Sequence, residues 1–219
     1  MGLSYVEENY LKAILKLSGA PEGLVSTNAI AAQLSTTAAS VTDMLKKLSE
    51  KDLIHYQRYK GAALTPEGQR IATVLVRKHR LWEVFLVESL GMTWDEVHDI
   101  AEQLEHIQSD RLIESLDAFL GHPKFDPHGD PIPNAEGKYS VRAQVPLSSL
   151  TEGQEGTVIG VREDETAFLQ HLNEKGLTPG KTVRVLTKDT YDNTLRLLAG
   201  GRELNLSGKA ARNIMIKVI

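Results

Sequence analysis

The segment EVHDIAEQLEH, residues 96–106, carries four side chains that could bind a metal ion: His98, Glu102, Glu105 and His106. If the segment is helical, the positions four, seven and eight residues after His98 lie on the same side of the helix as His98. Apolar residues of the same segment flank that side. By itself the pattern fits either a solvated charged face held by i,i+4 pairs or a metal site.

A second segment, HRLWE at residues 79–83, favours the metal site. It places His79 and Glu83 one helical turn apart. A short loop around Gly91 joins the predicted helices 66–90 and 94–106, so we expect the two helices to pack antiparallel and their His/Glu faces to converge. Charged groups beside a core-facing stripe are costly unless they are paired or bound to metal.

The available ligand atoms are nitrogen and oxygen, because the chain contains no cysteine. Thiolate zinc sites and disulfides are therefore excluded. The ligand types suit Mn²⁺, Fe²⁺, Co²⁺ or Zn²⁺, and the excess of carboxylates favours Mn²⁺. A metal-dependent hydrolase is the competing interpretation. The sequence has no HExxH motif and no arranged nucleophile, but two neighbouring metal ions could still act as a hydrolase.

The charge is distributed unevenly over the 219 residues, although the net charge is only −4. Residues 1–80 carry 11 Lys and Arg against 7 Asp and Glu, residues 81–140 carry 3 against 13, and residues 141–219 carry 11 against 9. A basic N-terminal part joined to a very acidic middle indicates one partner that is anionic and another that is cationic.

No run of eighteen apolar residues occurs, so the sequence predicts no transmembrane helix and no membrane partner. The first residues, MGLSYVEENYLKAIL, lack the basic region and cleavage site of a secretory signal. With cysteine absent as well, we expect a cytoplasmic protein.

The order of elements in residues 1–72 predicts a winged helix-turn-helix. Apolar periodicity indicates helices over 5–17, 26–35 and 40–54, with Ser26 or Thr27 capping the second and Thr36 or Thr37 the third. The alternating segment 55–68, with a turn at Lys60-Gly61, follows as a hairpin. An ordinary three-helix bundle is the alternative, and the hairpin favours DNA binding over it.

The residues expected to contact DNA are small polar residues around the start of the third helix and basic residues that neutralise phosphates. They are Thr27, Thr36, Thr37, Ser40, Thr42, Lys46, Lys47, Arg58 and Lys60.

The remaining sequence predicts helices over 66–90, 94–106 and 109–120, then a Pro- and Gly-rich linker over 121–140 in which His122 and His128 are solvated. From residue 145, short alternating strands around one helix (166–175) predict a small SH3-like β-barrel. The expected fold is mostly α with a small β domain: a winged helix-turn-helix at 1–72, a helical metal-binding and dimerisation domain at 73–140, and an SH3-like domain at 141–219.

Several of these segments together resemble the diphtheria toxin repressor family of metal-dependent transcriptional regulators. The matching segments are ENYLKAI, SVTDMLKKL, YKGAALTPEG, KHRLWEVFL, VHDIAEQLEH and GDPIP, and LTEGQEGTVIGV with LNEKGLTPG resembles the FeoA-type SH3-like domain of long members. The resemblance covers essentially the whole chain, and the His/Glu constellation is its most specific part.

The resemblance implies two metal sites. His79, Glu83 and His98 would be ligands of one site with help from the SH3-like domain, where Asp164 and Glu165 are the candidates. The second, regulatory site would use three ligands from the acidic middle and one from the first helix; these are Glu102, Glu105, His106 and Asn9.

Glu102 indicates the manganese-responsive type, since iron-responsive members carry Cys at this position. Asn9 and Lys12 depart from that type, which has acidic residues at both positions, and Glu8 could substitute as a ligand. Asp43 lies on the helix face expected to approach DNA, where an acid could read a cytosine amino group or point away.

The resulting hypothesis is a Mn²⁺- or Fe²⁺-activated repressor of metal-uptake genes that binds a palindromic operator as a homodimer. It is expected not to be an enzyme and to take no small organic substrate, while Zn²⁺ or Co²⁺ could bind in vitro. Two alternatives stay open: a metal-dependent hydrolase that uses the His/Glu cluster, and a DNA-binding regulator with a non-metal effector.

Overall fold

A computed structural model describes residues 2–19 and 23–219 of the chain, which divides into two units. Unit 1 contains Met1–His79, Leu104–Gln108 and Pro133–Lys138. Unit 2 contains Arg80–Gln103, Ser109–Ile132 and Tyr139–Ile219. No helix in the described ranges is long and apolar enough to cross a membrane.

Unit 1 begins with three helices, each with a side-chain cap at its N-terminus. They are α1 (Tyr5–Leu17), α2 (Thr27–Gln33) and α3 (Ala38–Glu50). Ser4 and Glu7 form a capping box on α1, while the hydroxyls of Ser26 and Thr37 accept bonds from the first turns of α2 and α3. The three helices were predicted from the sequence. The segment GAPEG (19–23), whose composition predicts a break between the first two helices, lies partly outside the described residues.

Helix α3 is displaced from its predicted bounds of 40–54. It starts at Ala38, directly after its cap, and ends at Glu50, because Asp52 adopts a positive φ of 56° and the chain turns into a strand at Ile54. Three of the leucines and isoleucines of these helices, Leu11, Ile30 and Leu45, are fully buried in a shared core.

The predicted wing is present as an antiparallel hairpin of β1 (Ile54–Gln57) and β2 (Gly61–Leu64). Val25 exchanges backbone hydrogen bonds with Ala62, which joins the segment before α2 to the hairpin. Gly61 allows this approach, because a Cβ there would lie 2.2 Å from the carbonyl oxygen of Val25. The hairpin is therefore held against the helices by main-chain contacts.

Helix α4 (Pro66–Glu88) follows the wing and is close to its predicted range of 66–90. The sequence of this helix predicts that Val74, Leu75 and Leu81 are buried. Leu75 and Leu81 are buried, whereas Val74 is exposed, so the prediction for Val74 is wrong. Within unit 1, Lys78 donates to the carbonyl of Ile107 at 3.0 Å.

The predicted helix over 94–106 is wrong at both ends: α5 spans only His98–Leu104. Residues 94–97 form a turn, in which the carboxylate of Glu96 accepts a bond from the amide of Thr93. Glu105 and His106 lie in the turn that follows the helix. Helical spacing therefore does not determine where these two side chains point. The next helix, α6 (Asp110–Phe119), was predicted and is capped by Ser109.

Residues 120–144 contain no helix or regular strand, as the linker prediction implied, but an isolated bridge joins Phe125 to Pro131. The C-terminal part of unit 2 is a six-stranded antiparallel sheet in the order β3-β8-β4-β5-β6-β7. Its strands are β3 (Val145–Pro146), β4 (Glu155–Val161), β5 (Thr182–Lys188), β6 (Leu195–Ala199), β7 (Arg202–Leu206) and β8 (Ile214–Val218).

Two helices accompany this sheet, where one had been predicted. Helix α7 (Thr166–Glu174) matches the predicted segment, and the unpredicted α8 (Gly208–Asn213) is capped by Ser207. Six residues are too few for apolar periodicity to reveal a helix. The core of the sheet domain, which includes Leu169, Leu172 and Ile216, also contains Trp94.

Candidate metal centres

Side chains from α1, α4 and the turn after α5 meet within unit 1. We name this group the α1 cluster; it comprises Glu8, Asn9, Lys12, His79, Glu105 and His106. His106 donates from Nδ1 to Glu8 Oε2 at 2.6 Å, and Gln108 donates to the other oxygen of Glu8 at 2.8 Å. Because Nδ1 of His106 is used in this way, its Nε2 carries the lone pair that a metal could take.

Glu105 is the most buried carboxylate of the α1 cluster, with no exposed surface. Its Oε2 lies 2.5 Å from Lys12 Nζ and 2.6 Å from His79 Nδ1. Its Oε1 has no hydrogen-bond partner and lies 3.9 Å from His106 Nε2. An ion bound at about 2.0–2.2 Å by both atoms could fit in that separation.

Asn9 supplies a second buried acceptor without a partner, its Oδ1. Tyr5, Asn9 and Lys12 share one face of α1 by helical spacing. Tyr5 stacks on His106 with ring centroids 4.6 Å apart, and Lys12 contacts Glu105, so Asn9 lies between the two contacts. Leaving a buried acceptor unpaired costs about 1–3 kcal/mol. A cation among these oxygens would remove that cost, so the residues fit a metal ion.

Unit 2 contains a second group of three buried side chains that could bind a metal ion, Glu83, Asp126 and His128, which we name the His128 cluster. One ligand atom from each lies within 4.8 Å of the other two. His128 donates from Nε2 to the carbonyl of Trp94 at 2.7 Å, which leaves Nδ1 facing Glu83 Oε2 at 3.6 Å. In the neutral imidazole the proton is thus held on Nε2 by the carbonyl of Trp94, and Nδ1 keeps the lone pair that a metal ion would bind. His98 lies beside the cluster, 3.4 Å from Glu83 and 3.7 Å from Glu102.

The buried charges of the His128 cluster shift the pKa values of its members. Burial raises the pKa of the Asp126 carboxyl, the charge of Glu83 adds to this effect, and the value reaches about 7 although Arg80 lies 3.3 Å away. Burial alone would lower the pKa of His128, but the contact with Glu83 and the charge of Asp126 outweigh it and raise the pKa to about 9. The metal-free cluster therefore retains protons that a divalent ion would displace.

The prediction that His128 is a solvated loop histidine is wrong, because only 5% of this residue is exposed. Its backbone is fixed to the sheet, since Val161 donates its amide to the carbonyl of His128 at 2.8 Å. The sequence signal for the site was DPHGD, where a histidine stands between two acids. His122 is exposed as predicted and contacts Asp117.

The other predicted ligands are placed as follows. His79 contacts Glu105 within unit 1, and Glu83 contacts His98 within unit 2. Asp164 is half-buried and Glu165 is exposed at the start of α7. Whether these two residues bind metal stays a prediction, as does the grouping of His79 with Glu83 and His98.

Most side chains predicted to contact DNA lie on the surface of unit 1. Exposed examples are Thr36, Thr37, Ser40, Lys46, Lys47, Arg58 and Lys60, whereas Thr27 and Thr42 are half-buried. The Thr37 hydroxyl is committed to capping α3, and Thr42 donates to the carbonyl of Ala38. Asp43 is exposed and pairs with Lys46 at 3.0 Å. The first turns of α3 and the tip of the wing thus present hydroxyls and cations to solvent.

Family models match nearly the whole chain. Residues 2–62 match the N-terminal DNA binding domain of iron dependent repressors, residues 65–134 match their metal binding and dimerisation domain, and residues 145–218 match the FeoA domain.

Curated relatives agree with these matches. The diphtheria toxin repressor of Corynebacterium glutamicum is 34% identical over 192 residues, which cover 83% of each chain. The iron-dependent repressor IdeR of Mycobacterium leprae is 27% identical over 225 residues, covering 97% of this chain and 96% of that protein.

Solved structures of manganese regulators also superpose on the chain. A manganese-dependent transcriptional repressor in complex with manganese has a TM-score of 0.82 and 34% identity, covering 97% of this chain and all of the other. The manganese regulator SloR has a TM-score of 0.73 and 36% identity, covering 97% and 98%. Buried His/carboxylate clusters, an exposed helix-turn-helix and these matches over the full length place the chain in the diphtheria toxin repressor family of metal-dependent transcriptional repressors.

Proposed function

We propose that the protein is a Mn²⁺-dependent repressor of metal-uptake genes that binds a palindromic operator as a homodimer. The observation that carries the proposal is the pair of buried, unpartnered acceptors Asn9 Oδ1 and Glu105 Oε1. One belongs to the first helix of the winged helix-turn-helix and the other to the 104–108 segment. A cation shared by them would couple metal occupancy to the placement of the DNA-binding helices.

The α1 cluster would hold the ion through Asn9, Glu105 and His106, with Glu102 as the further ligand that family resemblance implies. Glu8 accepts hydrogen bonds from His106 and Gln108 and would orient the imidazole, and its role as a ligand stays a prediction. The His128 cluster would hold another ion through Glu83, Asp126 and His128. The bound ions would supply positive charge and coordination bonds to these buried oxygen and nitrogen atoms.

Manganese is proposed because each cluster offers carboxylate, amide or imidazole groups and no sulfur. Fe²⁺ is the next candidate, and Zn²⁺ and Co²⁺ are expected to bind in vitro because their intrinsic affinities for such ligands exceed that of Mn²⁺. One relative named above is described as an iron-dependent repressor and one of the structures as a manganese-dependent repressor, which supports a transition metal of this type.

The homodimer is supported by exposed apolar side chains within the region that matches the dimerisation domain. Leu90, Leu112 and Phe119 are 60%, 39% and 69% exposed. Covering them in a symmetric interface would remove apolar surface from water. Two winged units would then face successive major grooves of a palindrome. The domain limits 1–72, 73–140 and 141–219 and a cytoplasmic location belong to the same proposal.

The decisive experiment is capture of sheared genomic DNA from the source organism by the full-length protein, with EDTA or with Mn²⁺ at fixed salt. We expect Mn²⁺ to enrich a few palindromic fragments roughly 5- to 150-fold, because an allosteric coupling of about 1–3 kcal/mol is ordinary. Glu105→Gln should lose most of that enrichment. Glu114→Gln, which removes an exposed carboxylate from α6, is the matched control and should behave as wild type.

Each alternative function has its own outcome in this experiment. Equal enrichment with EDTA and Mn²⁺ would favour a regulator with a non-metal effector. No enrichment in either condition would contradict DNA binding, and the two clusters would then be assayed for metal-dependent hydrolysis.

A further inference from the structure

The Lys12 ammonium lies where a positive ion would be expected in the α1 cluster. Its Nζ is 2.5 Å from Glu105 Oε2 and 3.2 Å from His79 Nδ1. The side chain of Lys12 is 15% exposed, that of His79 is 8% exposed, and that of Glu105 has no exposure. An ammonium has three donors and no acceptor, so it meets the carboxylate as a small cation does.

The two oxygens of Glu105 consequently have different environments. Oε2 is saturated by Lys12 and His79, whereas Oε1 is buried, has no partner and faces His106 Nε2. His79 Nδ1 can accept from Lys12 or donate to Glu105, but either arrangement uses the same nitrogen. Only the Oε1 side of Glu105 therefore has lone pairs that remain open.

Given the proposed function, we propose that Lys12 is a resident cation that occupies the position of a second metal ion beside Glu105 and His79. The α1 cluster then binds one exchangeable divalent ion, on the side of Glu105 Oε1, Asn9 and His106. The charges of the unit 1 side chains support a cluster with one resident ammonium and one exchangeable ion. Lys12 already neutralises one of the two carboxylates, Glu8 and Glu105, so a second divalent ion would add two uncompensated positive charges.

The same contact also holds α1 to the turn after α5 without metal. Lys12 follows Asn9 by three residues, so the internal cation and the amide acceptor share a face of the helix. Lys12 therefore acts as a positioning residue that limits the number of ions, while Asn9 and His106 remain available to the exchangeable ion.

The test counts bound Mn²⁺ per full-length chain by equilibrium dialysis for wild type and Lys12→Glu. We expect Lys12→Glu to bind one more Mn²⁺ than wild type, because it replaces the ammonium with a carboxylate beside Glu105 and His79. The additional ion should give an exchange-coupled Mn²⁺ signal in electron paramagnetic resonance, which Glu105→Gln in the same chain should abolish. Lys16→Glu makes the same charge change at an exposed position of α1 and should bind as many ions as wild type.

Two further variants complete the test. Lys12→Arg keeps the positive charge and should leave the number of ions unchanged, while Lys12→Met removes the charge and should gain an ion of weaker affinity even if Lys12→Glu folds poorly. The inference is overturned if neither Lys12→Glu nor Lys12→Met binds an additional ion, or if wild type already gives a coupled signal that depends on Glu105. If wild type binds no Mn²⁺ that depends on Glu105, the proposed function fails instead.

Discussion

A buried histidine beside two carboxylates makes the His128 cluster sensitive to pH. The pKa values of Asp126 and His128 are both raised, to about 7 and about 9. The folded chain therefore holds protons that the unfolded chain has already released. Each group contributes stability that is complete below its unfolded pKa and is lost as the pH rises through its folded pKa.

We predict that the metal-free protein loses stability as the pH rises from about 4 to about 9, across the window between the ordinary pKa of an aspartate carboxyl and the raised pKa of His128. The double variant Asp126→Asn/His128→Gln should show a flatter dependence, since neither replacement titrates. The midpoint of thermal unfolding in EDTA, measured at several pH values, checks this. Parallel curves for the two proteins would contradict the assignment of these pKa shifts.

At the scale of elements, strand β4 fixes the loop that carries Asp126 and His128. Gly160 on β4 packs against this loop so closely that a Cβ would lie 2.3 Å from the carbonyl oxygen of His128. The loop is further held by Arg142, which donates to the carbonyls of Gly129 and Ile159 at 2.7 Å. The sheet domain therefore positions these candidate metal ligands through main-chain contacts.

We predict that Gly160→Val displaces this loop and lowers Mn²⁺ affinity at the His128 cluster by about 10-fold or more, the range found when supporting contacts of metal ligands are lost. Isothermal titration with Mn²⁺ would measure the change. Thr157→Ala, a half-buried substitution on the same strand, is the control and should keep wild-type affinity. Unchanged affinity in Gly160→Val would show that the loop does not depend on β4.

At the scale of the whole molecule, the exposed apolar residues of unit 2 bear on assembly. Phe119 projects from α6 beside Phe85, with ring centroids 6.2 Å apart, and most of its surface is exposed. Exposed aromatic residues of this kind are frequent interface anchors. The proposed homodimer would bury Phe119 and so bring two DNA-binding units together.

We predict that Phe119→Glu raises the dimer dissociation constant at least about 10-fold, because it places a charge in an apolar interface. Sedimentation equilibrium measures this constant, and operator affinity should fall with it. Val141→Glu, at a residue that is 95% exposed and outside the matched dimerisation region, should leave dimerisation unchanged. A wild-type dissociation constant for Phe119→Glu would exclude this surface from the interface.

The sequence by itself determined most of the elements and the family. Local patterns located α1, α2, α6 and the wing, and the predicted cap Ser26 marked the start of α2, because such signals act within a few neighbouring residues. The acidic and imidazole-rich middle also predicted a metal-binding region.

Only the tertiary structure decided which of the candidate metal-binding side chains contact one another. Glu105 and His106 leave the helix and bond to Lys12 and Glu8, residues more than ninety positions away. His128 is buried because the sheet covers a loop whose composition is that of a linker. Such contacts depend on the packing of distant segments. Burial at these contacts then sets the pKa values of groups such as Asp126 and His128, which spacing along the chain cannot specify.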